Sequence, residues 1–190
     1  ITYTYPNIAA LGKNPSSDVK TFIMDTNANN LFEAMHRLTT KSNGPIFLKH
    51  LKVVLMSDEV ASDAHMVREI ADGLGRDFIA NKNAQMLVVK KSANKLLASV
   101  NKFKRQETTE GILYSLLLNR HDSTMFTPIT LTNFVEFMDL SNCAIVPLAH
   151  LDNDEILIDG GAVFKNYKLI GYLTYKENRA MAYLNNQVRE

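Results

Sequence analysis

Apolar residues in the first half of the chain alternate between two spacings. Short apolar runs at residues 19–26, 53–55 and 85–91 predict strands. Each run is followed by apolar residues three and four positions apart, the spacing of a helix with one buried face. The predicted inner faces are Leu31, Ala34, Met35 and Leu38, then Met66, Val67, Ile70 and Leu74, then Leu96, Leu97 and Val100. The pattern therefore predicts strand and helix in alternation, three times over.

The second half has a different order of elements. Two helices are predicted at about 108–119 and 133–140, followed by strand-like runs at 144–151, 155–161, 161–165 and 168–173 and a short helix through Leu184. Because the order changes near Asn101, we expect an α+β fold, mixed α/β in character. It would form two small domains, residues 1–101 and 102–190, each with a β-sheet packed by helices. In the alternative arrangement, strands of the second half join the first sheet.

Capping and turn residues mark the ends of these elements. Short polar side chains accept hydrogen bonds from the free N–H groups of a helix's first turn, and asparagine tolerates positive φ in hairpin turns. The candidates are Asn29 or Asn30 as a cap, Asp58 or Ser62 as a helix start, Gly73 and Gly75 as a helix end, Ser92 as a cap, Asn133 with Glu136 and Thr174 with Glu177 as capping boxes, and Asn166-Tyr167 as a hairpin turn.

The join after the second strand carries Ser57, Asp58 and Glu59. In many α/β enzymes a phosphate loop or a nucleophile lies at such a join, but this one has neither glycine nor a catalytic residue type suited to those roles. We therefore expect these side chains to satisfy N–H groups at the start of a helix, which is worth about 1 kcal/mol for a good cap.

Composition narrows the possible functions. The chain has 190 residues, 46% of them hydrophobic, and a formal net charge of +1, which provides no strong field for nucleic acid. Its one cysteine, Cys143, excludes an internal disulfide or a multi-cysteine metal site, and its neighbours Ala144 and Ile145 predict a small buried side chain.

The sequence lacks the usual metal-binding, dinucleotide-binding and calcium-binding motifs. The five histidines lack the spacing of a metal motif, and Gly73-Leu74-Gly75 lacks the third glycine of a dinucleotide fingerprint. The segment 152–155 lacks the glycine and distal glutamate of a calcium loop, so it is interpreted as a hairpin turn. We predict no catalytic residue, metal or cofactor; the sequence does not identify ligand-binding residues.

One basic segment has two interpretations. It contains Lys90, Lys91, Lys95, Lys102, Lys104 and Arg105. The first interpretation is a solvated helix face and connector. The second is a surface that faces the membrane or a partner, with Lys102, Lys104 and Arg105 as the candidate residues.

Three blocks of sequence resemble a known family. HLKVVLMSDEVA at 50–61, TPITLTNFVEFM at 127–138 and GGAVFKNYKLIGYLTYKENRAMAYLNN at 160–186 are similar to the Ger(x)C family, the lipoprotein C subunit of spore nutrient germinant receptors. The last block is the most specific of the three. None of the blocks is a catalytic motif.

The resemblance implies a non-catalytic subunit in nutrient-triggered spore germination. It implies A and B membrane-embedded partner subunits and a location on the outer face of the inner spore membrane, held by a lipid such as palmitate on a cysteine after a signal peptide. The chain begins within a strand and without methionine, so it is expected to be a fragment lacking the anchor, an opening strand and a C-terminal domain. The alternatives are an exported cell-envelope hydrolase or transferase, whose groups converge only in space, and a solute-binding lipoprotein with a ligand cleft.

The hairpin within the third block gives one packing prediction. Leu169, Gly171 and Leu173 are expected on one face of the last strand, and Phe164 is expected to pack against that face across the turn. In the alternative, Phe164 is exposed and contacts a partner.

Overall fold

A computed structural model describes residues 1–6, 21–42, 46, 48–76, 80–91, 93–102, 109–118, 125–152 and 155–184. Within these ranges the chain forms the following strands, helices and one short 3₁₀ turn, in order: β1 (Thr2–Pro6), β2 (Thr21–Asp25), α1 (Leu31–Lys41), the 3₁₀ turn (Leu48–His50), β3 (Val53–Ser57), α2 (Asp58–Ala61), α3 (Ala64–Arg76), β4 (Gln85–Val89), α4 (Ala93–Lys102), α5 (Thr109–Leu118), α6 (Leu131–Ser141), β5 (Cys143–Asp152), β6 (Glu155–Lys165), β7 (Lys168–Leu173) and α7 (Tyr175–Leu184).

The strands form two sheets. β1 and β2 pair as an antiparallel ribbon, and the other five form one sheet in the order β3-β4-β5-β6-β7. β3, β4 and β5 are parallel, whereas β6 and β7 run antiparallel to their neighbours. The α+β class predicted from the apolar pattern is confirmed.

The larger sheet is buried on both faces. Along β4, Met86 and Val88 belong to one apolar cluster and Leu87 and Val89 to the other, as expected for residues that alternate across a strand. α3 and α6 cover the first face, while α4 and α5 cover the second. Burial on both sides explains why residues 85–89 are almost continuously apolar.

Aromatic rings join α6 to the β6–β7 hairpin. The ring centroids of Phe134 and Phe164 are 5.4 Å apart with their planes at 88°, and Tyr167 lies 6.0 Å from Phe134. Such edge-to-face pairs add stability beyond the area they bury. Phe164 is fully buried, so its predicted packing role is confirmed and the exposed alternative is wrong.

Most of the predicted elements and local signals in the described residues are confirmed. Asn30 caps α1 by accepting from the Glu33 N–H at 2.8 Å. Asn166 and Tyr167 form the hairpin turn with φ of 51° and 64°. Ser92, the predicted cap of α4, lies outside the described residues.

The predicted glycine end of the second helix is wrong. Gly73 and Gly75 lie inside α3, which continues to Arg76. A Cβ atom on Gly73 would lie 2.7 Å from Cδ2 of Leu31, so this glycine allows α1 and α3 to pack closely. The need for glycine at position 73 therefore comes from its contact with Leu31, a residue far away in the chain, and the local sequence does not show that contact.

The predicted capping box of Asn133 and Glu136 is also wrong. α6 begins one turn earlier, at Leu131, and its cap is Thr130, whose hydroxyl oxygen accepts from the Asn133 N–H at 3.2 Å. The apolar inner face is Leu131, Phe134 and Met138, and it is this buried face that sets the start of the helix.

Two irregularities change the faces of β6 and β7. β6 is one strand where two runs were predicted, and it contains Gly160 with φ of +67°. Phe164 pairs with Leu169 and Val163 with Gly171, so Ile170 forms a bulge. The expectation that Leu169 and Gly171 share a face is therefore wrong: Leu169 faces the core with Phe164, and Gly171 lies on the opposite face.

The five-stranded sheet contains strands from both sides of residue 101. β4 from the first half pairs with β5 from the second, through Val88–Leu148 and Val89–Ala149. This is the arrangement in which strands of the second half join the first sheet. The division into residues 1–101 and 102–190 stays a prediction about independent folding units.

Candidate functional site

The Ser57-Asp58-Glu59 join serves as a scaffold. The Ser57 hydroxyl accepts from the Val60 N–H at 3.3 Å, which confirms its role at a helix start. Asp58 contacts a residue far along the chain instead: its Oδ2 accepts from the Lys91 N–H at 3.1 Å. The join therefore ties the end of β3 to the end of β4.

A charged corner, defined as Asp58, Lys90, Lys91 and Tyr172, lies at the ends of these two parallel strands. Lys90 Nζ lies 4.5 Å from the ring centroid of Tyr172, a cation–π distance. Burial, and then the negative charge of Asp58, raise the pKa of the Tyr172 phenol. Lys91 has a φ of 74°, in the left-handed region that lysine rarely adopts.

The charged corner links three elements that are distant in sequence. Asp58 begins α2, Lys90 and Lys91 follow β4, and Tyr172 belongs to β7. Its polar contacts are made within the fold, so we interpret it as a structural contact that links the two edges of the sheet, at β3 and β7. No pattern in the sequence predicts the approach of Tyr172 to Asp58, because the two residues lie on elements far apart in the chain.

Among the histidines in the described ranges, His150 lies close to a carboxylate. His150 Nδ1 lies 3.4 Å from Asp159 Oδ1, on the neighbouring strands β5 and β6. In the part of the chain that the structure describes, no three histidine, cysteine or acidic side chains converge as a metal site would require.

A shallow groove lies between α1 and α3. Its volume is about 220 Å³, and apolar side chains including Leu31, Met35 and Leu74 line most of it, with His36 and Thr39 at one side. Ligand pockets for small molecules usually occupy about 300–1,000 Å³. The groove is therefore smaller than a usual small-molecule pocket.

The prediction that Cys143 is buried is wrong, because its side chain is exposed. Asn142 ends α6 in the left-handed conformation, and β5 begins at the next residue. Ala144 and Val146 face the first apolar cluster, so Cys143 has the opposite orientation at the strand's first position.

The predicted basic surface lies largely outside the described residues. Lys102 ends α4, but its side chain, Lys104 and Arg105 are not among the groups whose structure is described. The surface stays a prediction from the sequence. Each helix in the described ranges is too short or too polar to be a bilayer-spanning segment.

A reciprocal cap holds the start of α7. Glu177 Oε2 accepts from the Thr174 N–H at 2.8 Å, and the Thr174 hydroxyl oxygen accepts from the Glu177 N–H at 3.4 Å. The predicted capping box is confirmed. The Thr174 N–H, and then the Thr174 hydroxyl, lower the pKa of Glu177 because both hydrogen bonds favour the carboxylate.

This cap predicts an acid-sensitive helix start. Because the pKa of Glu177 is lower in the folded state than its ordinary value of 4.5, the contribution of the cap is complete above that pH. The contribution is lost as the pH falls through the lower, folded-state pKa. The NMR shift of the Thr174 amide should titrate with a midpoint below 4.5, and this titration should disappear in Glu177→Gln. A midpoint at or above 4.5 would contradict the cap.

Fold and surface geometry together define an α+β protein built on a sheet covered on both faces, whose described polar groups mainly cap helices and join strand ends. The chain belongs to the family described as the spore germination protein N-terminal domain, which matches residues 1–151. The resemblance to the Ger(x)C family is thereby confirmed. The blocks at 50–61 and 127–138 lie within the matched residues, whereas the block at 160–186 lies beyond them.

A solved structure described as the crystal structure of the GerBC protein is similar in fold. The TM-score is 0.55 at 13% sequence identity, and the match covers 90% of this chain and 45% of that one. This chain therefore spans less than half the length of the GerBC protein. No curated protein matches the chain at a significant level.

Proposed function

We propose that this chain is part of a non-catalytic lipoprotein subunit of a spore germinant receptor. It acts with membrane-embedded A and B subunits in the germination that nutrients trigger. The family match over residues 1–151 supports this proposal most directly. The similar fold of the GerBC protein agrees with it, as does the use of polar side chains at the Ser57-Asp58 join for capping and strand contacts.

The proposed location follows from the same family. The full-length protein would be held by a lipid on the outer face of the inner spore membrane, with a signal peptide directing its export. The sheet and its helices would then act as a rigid body that presents surfaces to the membrane subunits, without a cofactor.

Two measurements in spores test the proposed function. Deleting the gene should abolish germination with at least one nutrient while spore yield stays unchanged. Affinity purification of the tagged full-length protein from spore membranes should recover the A and B subunits. Normal germination with every nutrient, together with a purification that recovers neither subunit, would remove the proposal.

Lys102, Lys104 and Arg105 are proposed as a surface that orients this subunit on anionic lipid. Each cation near such a surface contributes about 1 kcal/mol of attraction, and a single lipid chain anchors a protein only marginally. This chain, produced without a lipid anchor, should bind anionic vesicles at low salt and release them near physiological ionic strength, where the Debye length is about 8 Å. Sedimentation with vesicles measures this.

The matched control changes the same number of charges elsewhere. Replacing Lys102, Lys104 and Arg105 with glutamate should abolish vesicle binding, whereas the same replacement of the exposed Lys165, Lys168 and Lys176 should leave most of it. Equal losses in the two triple variants would show that net charge, and not this surface, is responsible.

A further inference from the structure

α7 has an inner and an outer face. Asn178 and Ala182 are buried against the sheet, and the Asn178 side chain donates to the Thr127 hydroxyl oxygen at 3.5 Å. Asn178 Oδ1 lies 3.1 Å from where a Cβ atom on Gly161 would be, so a glycine in β6 allows the helix to approach closely. The capping box at Thr174 and this close packing hold α7 in one orientation.

The outer face of α7, defined as Tyr175, Lys176, Arg179, Tyr183 and Leu184, is exposed to solvent. Leu184 and Tyr183 expose 80% and 53% of their surface, respectively. Tyr175, Arg179 and Tyr183 are spaced four residues apart, so they form one stripe along the helix.

Both cations of the outer face lie against aromatic rings. The Arg179 guanidinium lies 5.7 Å from the Tyr183 ring centroid and donates to its hydroxyl oxygen at 3.3 Å. Lys176 Nζ lies 5.9 Å from the Tyr175 centroid. Among the described residues, neither cation has a carboxylate within ion-pair distance. Glu177, the acidic residue of the same helix, is engaged by Thr174.

This combination is typical of a protein interface. Tyrosine and arginine are enriched among the residues that contribute most to binding, and an arginine positioned in advance loses less side-chain entropy when it binds. The positive charges lack a carboxylate, and the planar guanidinium fork matches one in shape. The cations beside exposed Tyr183 and Leu184 match a carboxylate flanked by apolar side chains.

We propose that the outer face of α7 docks a segment of a partner protein in which a carboxylate is flanked by apolar side chains. Arg179 binds the carboxylate, and Tyr175, Tyr183 and Leu184 cover the apolar flanks. This inference deepens the proposed function, because it assigns one surface through which the subunit contacts another chain.

Photo-crosslinking in spores tests the surface. Benzoylphenylalanine in place of Leu184 of the full-length protein should crosslink to one segment of another protein, identified by mass spectrometry, with Asp or Glu within one helical turn of the crosslinked residue. The matched control carries the same group in place of Phe32, an exposed residue of α1, and should not crosslink to that segment.

Charge reversal then decides the role of Arg179. Arg179→Glu should lower the crosslink yield about tenfold or more, since it removes the anchor and adds repulsion, whereas Arg179→Lys should retain part of it. Changing the partner's carboxylate to lysine should restore the crosslink in the Arg179→Glu protein. Because Arg179 is exposed, its variants should melt like the wild type. If they do not, recovery of the crosslink in the charge swap still shows whether Arg179 pairs with the partner's carboxylate.

Several results would contradict the proposal that the outer face of α7 docks a partner. These are a crosslink to lipid or to this protein's own chain, a crosslinked segment without a carboxylate, no crosslink from position 184, an unchanged yield in Arg179→Glu, or a charge swap that restores nothing. If any of these results is found while the deletion strain still fails to germinate, the proposed function stands and the docking role of the outer face of α7 is rejected.

Discussion

Phe164→Ala is expected to lower the free energy of unfolding by about 3 to 5 kcal/mol, as is usual when a large buried aromatic side chain is removed. Phe164 has no exposed surface and lies edge-to-face with Phe134 of α6. On the sheet it pairs with Ala144 on one side and Leu169 on the other. Its loss would leave a cavity where β6 meets α6. Urea denaturation measures the effect.

Phe32→Ala is the matched control, because Phe32 is 66% exposed. Removing the same atoms there should cost less than about 1 kcal/mol. In spores, Phe164→Ala should reduce the amount of the protein, since a destabilised protein is degraded more often. A variant that melts like the wild type and still fails to support germination would show that Phe164 acts in recognition and not in packing.

Gly160→Ala should destabilise the fold by about 3 kcal/mol or more. Gly160 has a φ of +67°, and an added Cβ atom would lie 2.2 Å from the backbone oxygen of Leu173. That oxygen belongs to the neighbouring strand β7, so relief requires the backbone of one strand to move. Thermal unfolding followed by circular dichroism measures the loss.

Gly171→Ala controls for the general effect of changing glycine to alanine. A Cβ atom on Gly171 meets nothing within 4 Å, and the residue lies on the same hairpin. This variant should be neutral or stabilise by up to about 1 kcal/mol, because alanine restricts the unfolded chain. Equal losses at the two glycines would mean that the bend at Gly160 does not require positive φ.

Both substitutions act on the β6–β7 hairpin, which carries α7 at its end. A hairpin that loses Phe164 or the bend at Gly160 would no longer hold α7 in one orientation. The α7 surface should therefore lose its crosslink together with stability in these two variants. Arg179→Glu separates the effects, because it changes the surface without touching the core.

Predictions that depend on neighbours within one helical turn were the most accurate. The cap at Asn30, the Thr174–Glu177 box and the Asn166-Tyr167 turn are all present. In each case the hydrogen bond or dihedral angle concerns residues at most three positions apart, so the sequence contains the complete information. The Asn133–Glu136 box was wrong because Thr130, one turn earlier, offers the same chemistry beside a buried Leu131.

Predictions that depend on distant partners were incomplete. Gly73 was interpreted as a helix end, whereas contact with Leu31 in another helix explains it. Cys143 was expected to be buried from its apolar neighbours, but its place at the first position of β5 leaves it exposed. The charged corner escaped prediction because Asp58 and Tyr172 lie on elements that the sheet alone brings together.

The sequence by itself determined the α+β class, the alternation of elements, the caps and turns cited above and, through three blocks of residues, the resemblance to a spore germination family. The tertiary structure decided that β5 joins β4 in one sheet, that Ile170 forms a bulge, and that the outer face of α7 is left exposed. The physical reason is the distance along the chain over which each kind of interaction acts. Periodicity and capping act over a few residues, whereas strand order, bulges and the identity of an uncovered face depend on packing between segments far apart in the chain.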